Sequence, residues 1–141
     1  MELTMGRILA IDYGMKRTGL AVTDPLKIIA TGLETVETTN LVSFLQKYFQ
    51  KETVDEVIIG LPRQLNNQDS ETAPNVRKFI AVFQNTFPGK PIIEVDERNT
   101  TVMAHAAMIE GGMKKSDRQI KGNADRISAT LILQNYMMSR K

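Results

Sequence analysis

The chain has 141 residues, with 18 lysines and arginines against 16 acids for a net charge of +2, and no cysteine. A chain without cysteine can form neither disulfides nor a thiolate zinc site, and no apolar run approaches the roughly 20 residues of a membrane span. A net charge this small does not by itself nominate a nucleic-acid partner, although five of the cations, Lys114, Lys115, Arg118, Lys121 and Arg126, fall in one short basic segment beside only Asp117 and Asp125.

The amino-terminal MELTMGR lacks the basic start and apolar middle of a secretory signal, so a cytoplasmic location and no membrane partner are expected. No linker, repeat or low-complexity tract interrupts the chain, and a single domain over residues 1–141 is expected. RILAID is apolar on both faces, as a central strand covered on each side must be. Gly14 permits a turn, and TGLAVTD reads as the returning strand of a hairpin. KIIATGLETV, residues 27–36, reads as a third strand. Leu41, Phe44, Leu45, Tyr48 and Phe49 make one helical stripe, with Thr38, Thr39 or Asn40 available as its N-cap. VDEVIIGLP is a short buried strand stopped by Pro62. A second helix carries Val76, Phe79, Ile80 and Phe83, and KPIIEVDE is another strand. NTTVMAHAAMIEGG is a helix closed by its glycines. The last helix, from about Asp125 to Met138, carries Ile127, Leu131, Ile132 and Tyr136. Three strands followed by strand–helix units imply an α/β fold, a mixed five-stranded sheet with helices on both faces. Its parallel strands would open at Arg7, Val54 and Pro91, and ligands of open α/β sheets bind where such strands end.

Three acidic positions fall at that edge or near it. Asp12 ends the first strand, Asp96-Glu97 ends the last, and Asp125 stands at the start of the final helix. Each has an ordinary structural reading: a turn residue, an acid favouring a helix N-terminus, and an N-cap. Convergence would change the reading. Two carboxylates about 4 Å apart repel by roughly 4 kcal/mol at an effective dielectric near 20, so a cluster takes up protons or holds a cation. With no cysteine and a single histidine, His105, the donors favour a hard ion, Mg²⁺ or Mn²⁺. Such ions suit in-line hydrolysis of a phosphodiester.

ILAIDYGMKRTGLAV, VIIGLP, DERNTT with an alanine-rich helix after it, and ADRISATLILQNYM resemble, in order and spacing, the YqgF/RuvX family. The resemblance covers Arg7 to about Met138. It implies an RNase H-like fold and a nuclease, described for the family as Holliday-junction resolvase-like and as maturing the 5′ end of pre-16S ribosomal RNA. Carried over by motif, it makes Asp12, Glu97 and Asp125 the catalytic metal ligands, with Asp96 beside Glu97 as a possible helper or substitute. Arg98 is then a phosphate contact and Lys16, Arg17 and Arg63 are backbone contacts, while Lys114, Lys115, Arg118 and Lys121 order over the nucleic acid. The expected partner is nucleic acid, pre-rRNA ahead of branched DNA, met by a monomer or weak homodimer. Asn99, the glycine-free loop LNNQDSE and Ala124 depart from the family pattern without removing a carboxylate. Two rivals remain: an actin-like ATPase, for which the chain lacks a second lobe, and a non-catalytic RNA- or ribosome-binding module with vestigial acids.

Overall fold

A computed structural model of the chain describes residues 6–61, 73–96 and 123–139. Strands β1 (Arg7–Asp12), β2 (Arg17–Thr23) and β3 (Ala30–Glu37) come first, and a 3-10 turn over Thr38–Asn40 leads into α1 (Leu41–Lys51). They are followed by β4 (Val54–Leu61), α2 (Ala73–Thr86), β5 (Ile92–Asp96) and α3 (Asn123–Ser139). The strands form one sheet in the order β3-β2-β1-β4-β5. β1 and β3 run antiparallel to β2, whereas β1, β4 and β5 run parallel. The expected mixed five-stranded sheet is present, with β1 at its centre. The helix expected over residues 99–112 lies outside the described residues.

The two apolar faces of β1 explain the layers. Leu9 and Ile11 point to one side, where they pack with Leu41 and Leu45 of α1 and with Val76, Phe79 and Phe83 of α2. Ile8 and Ala10 point to the other, where they meet Ala129, Ile132 and Leu133 of α3. Each fully buried large side chain of this kind stabilises the fold by roughly 1.5–3 kcal/mol. The buried face of α3 is rotated from the stripe expected: Ser128, Ala129, Ile132 and Leu133 are buried, while Ile127, Leu131 and Tyr136 are only half-buried. Small side chains on the helix and on the sheet, Ala129 against Ala10 and Ala21, favour close approach over the larger residues.

One local expectation gives way to side chain–backbone hydrogen bonds. Lys27, Ile28 and Ile29 do not begin the third strand. The Asp24 carboxylate accepts the amides of Leu26, Ile28 and Ile29 at 3.1, 2.8 and 2.7 Å, and the chain turns through Lys27 at a φ of 60° before β3 starts at Ala30. An apolar run has a strand's composition, but an aspartate just before it offers the backbone a competing set of bonds. The N-cap of α1 is Asn40, and its side chain makes no capping bond. Thr38 has its hydroxyl engaged elsewhere.

Candidate active site

Because β1, β4 and β5 are parallel, their carboxy-terminal ends lie on one edge of the sheet. β2 begins at that edge and β3 ends there. Asp12, half-buried, is the last residue of β1 and sits opposite Gly19 of β2. Ile11 is level with Ile59 of β4, which is level with Glu94 of β5. Asp12 therefore falls on the row of Gly60 and Val95. Strands lie about 4.8 Å apart, so β1 and β5 are separated by about 10 Å across β4. Gly60 puts no side chain into that gap.

Alternation fixes which face each position takes. Asp12 shares the face of Ile8 and Ala10, the one that α3 covers. Val95 packs with the same cluster. Asp96 ends β5 level with Leu61 of β4, and its side chain lies outside the described residues.

The direction of α3 points its first turn toward the same edge. Tyr136 Oη lies 3.1 Å from Glu56 Oε2, near the amino-terminal end of β4. Glu56 is level with Ile8 of β1. From there, Asp125 lies eleven residues back along the helix, about 16 Å at 1.5 Å per residue. Ile8 to Asp12 spans four residues, about 13 Å at 3.3 Å each. The helix start is thus level with Asp12 or just beyond it, and position 125 precedes buried Ala129 by one turn.

Glu97 lies outside the described residues, as do Arg63, Arg98, Lys114, Lys115, Arg118, Lys121 and the side chain of Asp125. Among the described residues no three His, Cys, Asp or Glu side chains are grouped closely enough to hold a metal. Lys16 and Arg17 are exposed where β2 starts, on the same edge as Asp12. No helix among the described residues is long and apolar enough to cross a membrane.

The turn between β1 and β2 has a tether that sequence reasoning missed. Thr38, just past the end of β3, donates its hydroxyl to Gly14 O at 2.6 Å and its amide to Lys16 O at 2.9 Å. Its oxygen also lies 2.9 Å from Thr18 Oγ1. Gly14 is needed for room: a Cβ there would fall inside 3.0 Å of the Arg17 carbonyl oxygen. The glycine with a positive φ among the described residues is Gly89, so at Gly14 it is space, not a left-handed backbone, that excludes a side chain. The run ETTN before an apolar helix resembles a capping sequence, and nothing local reveals that the hydroxyl reaches back 24 residues.

The model of the family described as "RuvX: Holliday junction resolvase" matches residues 6–139. A protein of Phocaeicola vulgatus named "Putative pre-16S rRNA nuclease" is 55% identical over 137 residues, 97% of this chain and 99% of the relative. Its namesake in Flavobacterium johnsoniae is 51% identical over the same shares. Among solved structures, Fowlpox virus resolvase with its substrate Holliday junction DNA superposes with a TM-score of 0.60 at 14% identity, covering 95% of this chain and 98% of that one. Thermus thermophilus RuvC in complex with a Holliday junction substrate gives 0.55 at 15% identity, covering 96% and 95%. These likenesses establish the fold, an RNase H-like one. With a family model spanning all but the chain's extremities and relatives sharing half its residues, the chain belongs to the RuvX family.

Proposed function

We propose that this chain is a metal-dependent nuclease that hydrolyses phosphodiester bonds, with Asp12, Glu97 and Asp125 as its catalytic acids and the 5′-end processing of pre-16S rRNA as its task. What supports the reading is that Asp12 and the end of β5 lie on one sheet edge, on a row left open by Gly60, and that α3 runs with its first turn toward that edge. Glu97 is preferred to Asp96 because the resemblance of the DER motif to the family pattern falls on it. The names of the relatives favour that substrate.

The residues fit a hard divalent ion. All three proposed ligands are carboxylates, and the chain has no cysteine to favour a softer metal. Asp12, Glu97 and Asp125 would hold one or two Mg²⁺, or Mn²⁺. When bound, the metal would supply an activated water and stabilise the departing oxygen. The chain's own work is then positional. β1 fixes Asp12 to a rigid sheet, and α3 is pinned to that sheet by its buried face. Lys16 and Arg17 line the edge beside Asp12 and draw the nucleic-acid backbone toward it without reading sequence. Arg63, Arg98 and the basic residues Lys114, Lys115, Arg118 and Lys121 extend that contact. The chain acts as one domain in the cytoplasm, as a monomer or weak homodimer.

The description of the family model favours a second reading, resolution of four-way DNA junctions. Paired cuts of that kind call for a twofold dimer. Both readings meet in one experiment. Wild type and Asp12→Asn are incubated with precursor 16S rRNA and with four-way DNA junctions, in Mg²⁺ or chelator. Metal-dependent cutting of the RNA by wild type alone is expected. Symmetric cutting of the junction alone would move the substrate to DNA, and equal cutting by both proteins would discard Asp12 as a ligand.

A further inference from the structure

We infer that Thr38 is a positioning residue for nucleic-acid binding: it latches the β1–β2 turn so that Lys16 is held over the catalytic edge. The inference deepens the nuclease reading and rests on it for the identity of the ligand. β1 ends, β2 begins and β3 ends at one edge, so Thr38, immediately after β3, stands beside the turn that follows Asp12. That turn, Tyr13–Lys16, is too long to be a two-residue hairpin and carries an outward load, since Met15 is 63% exposed and Lys16 is also exposed.

The hydrogen bonds define a direction. The Thr38 hydroxyl has one proton and gives it to Gly14 O at 2.6 Å. At 2.9 Å from Thr18 Oγ1, it must therefore accept, and Thr18 donates. Thr18 is fully buried in β2, next to Gly19, the partner of Asp12. The chain of donors thus runs from the buried sheet through Thr38 to the turn. The Thr38 amide adds a bond to Lys16 O at 2.9 Å. Two carbonyls of the turn, one of them on Lys16, are fixed from a residue outside it. A free turn would leave the ammonium of Lys16 to sample many positions, and a tethered one presents it at the edge before the ligand arrives, which is what preorganisation contributes to binding.

The test is a double-mutant cycle read through salt. All proteins carry Asp12→Asn, so the probe, a fluorescein-labelled single-stranded RNA oligonucleotide, is bound without being cut. Binding is measured by anisotropy over a range of KCl concentrations. Lys16→Ala removes one phosphate contact and lowers the salt slope by about 1. Thr38→Val removes no charge, yet it is expected to lower the slope in the same direction and weaken binding by roughly tenfold, the effect of losing about 1.4 kcal/mol. Adding Lys16→Ala to Thr38→Val should then change little further, and Thr38→Ser should restore both slope and affinity.

A Thr38→Val protein with the parent slope, or effects of the two substitutions that simply multiply, would overturn the latch. Thermal melts accompany each variant, and Thr38→Ala replaces Thr38→Val if the latter fails to fold. Cleavage is measured separately with Asp12 intact. Failure there strikes the nuclease reading and leaves the binding cycle to stand or fall by itself.

Discussion

Replacing Gly14 with alanine isolates the geometry of the turn beside Asp12. The new methyl would fall inside 3.0 Å of the Arg17 carbonyl oxygen, a backbone atom that cannot swing aside as a side-chain tip would. The turn must open, and the bonds held closed by Thr38 open with it: Thr38 Oγ1 to Gly14 O at 2.6 Å and Thr38 N to Lys16 O at 2.9 Å. Each contributes about 1 kcal/mol net. Residual backbone strain adds on the order of 1–3 kcal/mol if the turn opens only partly. Against this, alanine restricts the unfolded chain and returns about 0.4–1 kcal/mol. A net loss of roughly 2–4.5 kcal/mol results, out of a total stability of about 5–15 kcal/mol for a typical domain. Urea unfolding followed by circular dichroism measures it directly. A Gly14→Ala protein within about 0.5 kcal/mol of wild type, the ordinary range for a harmless surface change, would refute the steric argument.

Four further outcomes are expected. Gly89→Ala meets open space but a φ of 88°, so it should cost only about 1–2 kcal/mol in the same assay, from left-handed strain alone. Phe83 is fully buried with its ring 4.9 Å from Phe87 and 6.3 Å from Phe49, and Phe83→Ala should cost about 3–5 kcal/mol in urea unfolding. Tyr136→Phe deletes the 3.1 Å bond to Glu56 and should lower stability by about 1 kcal/mol, which a shift in the thermal midpoint will report. The amide of Ile29, then those of Ile28 and Leu26, hold the Asp24 carboxyl below its ordinary value of 3.8. A group depressed in the folded state stabilises at pH above its unfolded value and loses that contribution as pH falls through the folded one. The difference in denaturant midpoint between wild type and Asp24→Ala should therefore stay constant down to about pH 3.8 and narrow below it.

Long-range order was more legible in the sequence than local detail. RILAID could only be a central strand, because both alternating sets of residues are apolar, and the structure places it between β2 and β4. The parallel set followed from the strand–helix units, and with it the edge where Asp12 lies. What escaped was decided by bonds that composition does not encode. The apolar Lys27–Ala30 run was claimed in part by the Asp24 carboxylate, which made a turn where a strand was expected. Thr38 looked like a cap and became a tether, because its partner carbonyl arrives from a turn 24 residues earlier. The face of α3 was misjudged because a stripe of large residues is easy to see, whereas the packing selected the small ones at Ser128 and Ala129. Of the three proposed acids, the sheet register speaks to Asp12, which it puts on the edge expected of it.

The sheet's apolar side, formed by Ile8, Ala10, Ala21 and Ile58, has its cover in α3, which follows all five strands in the chain. A nascent polypeptide can pair β1 with β2 and later β4, yet that surface stays wet until α3 docks. The same helix brings the proposed third ligand. Under this assignment a chain whose α3 has not docked exposes that apolar surface and lacks its third acid at the same time.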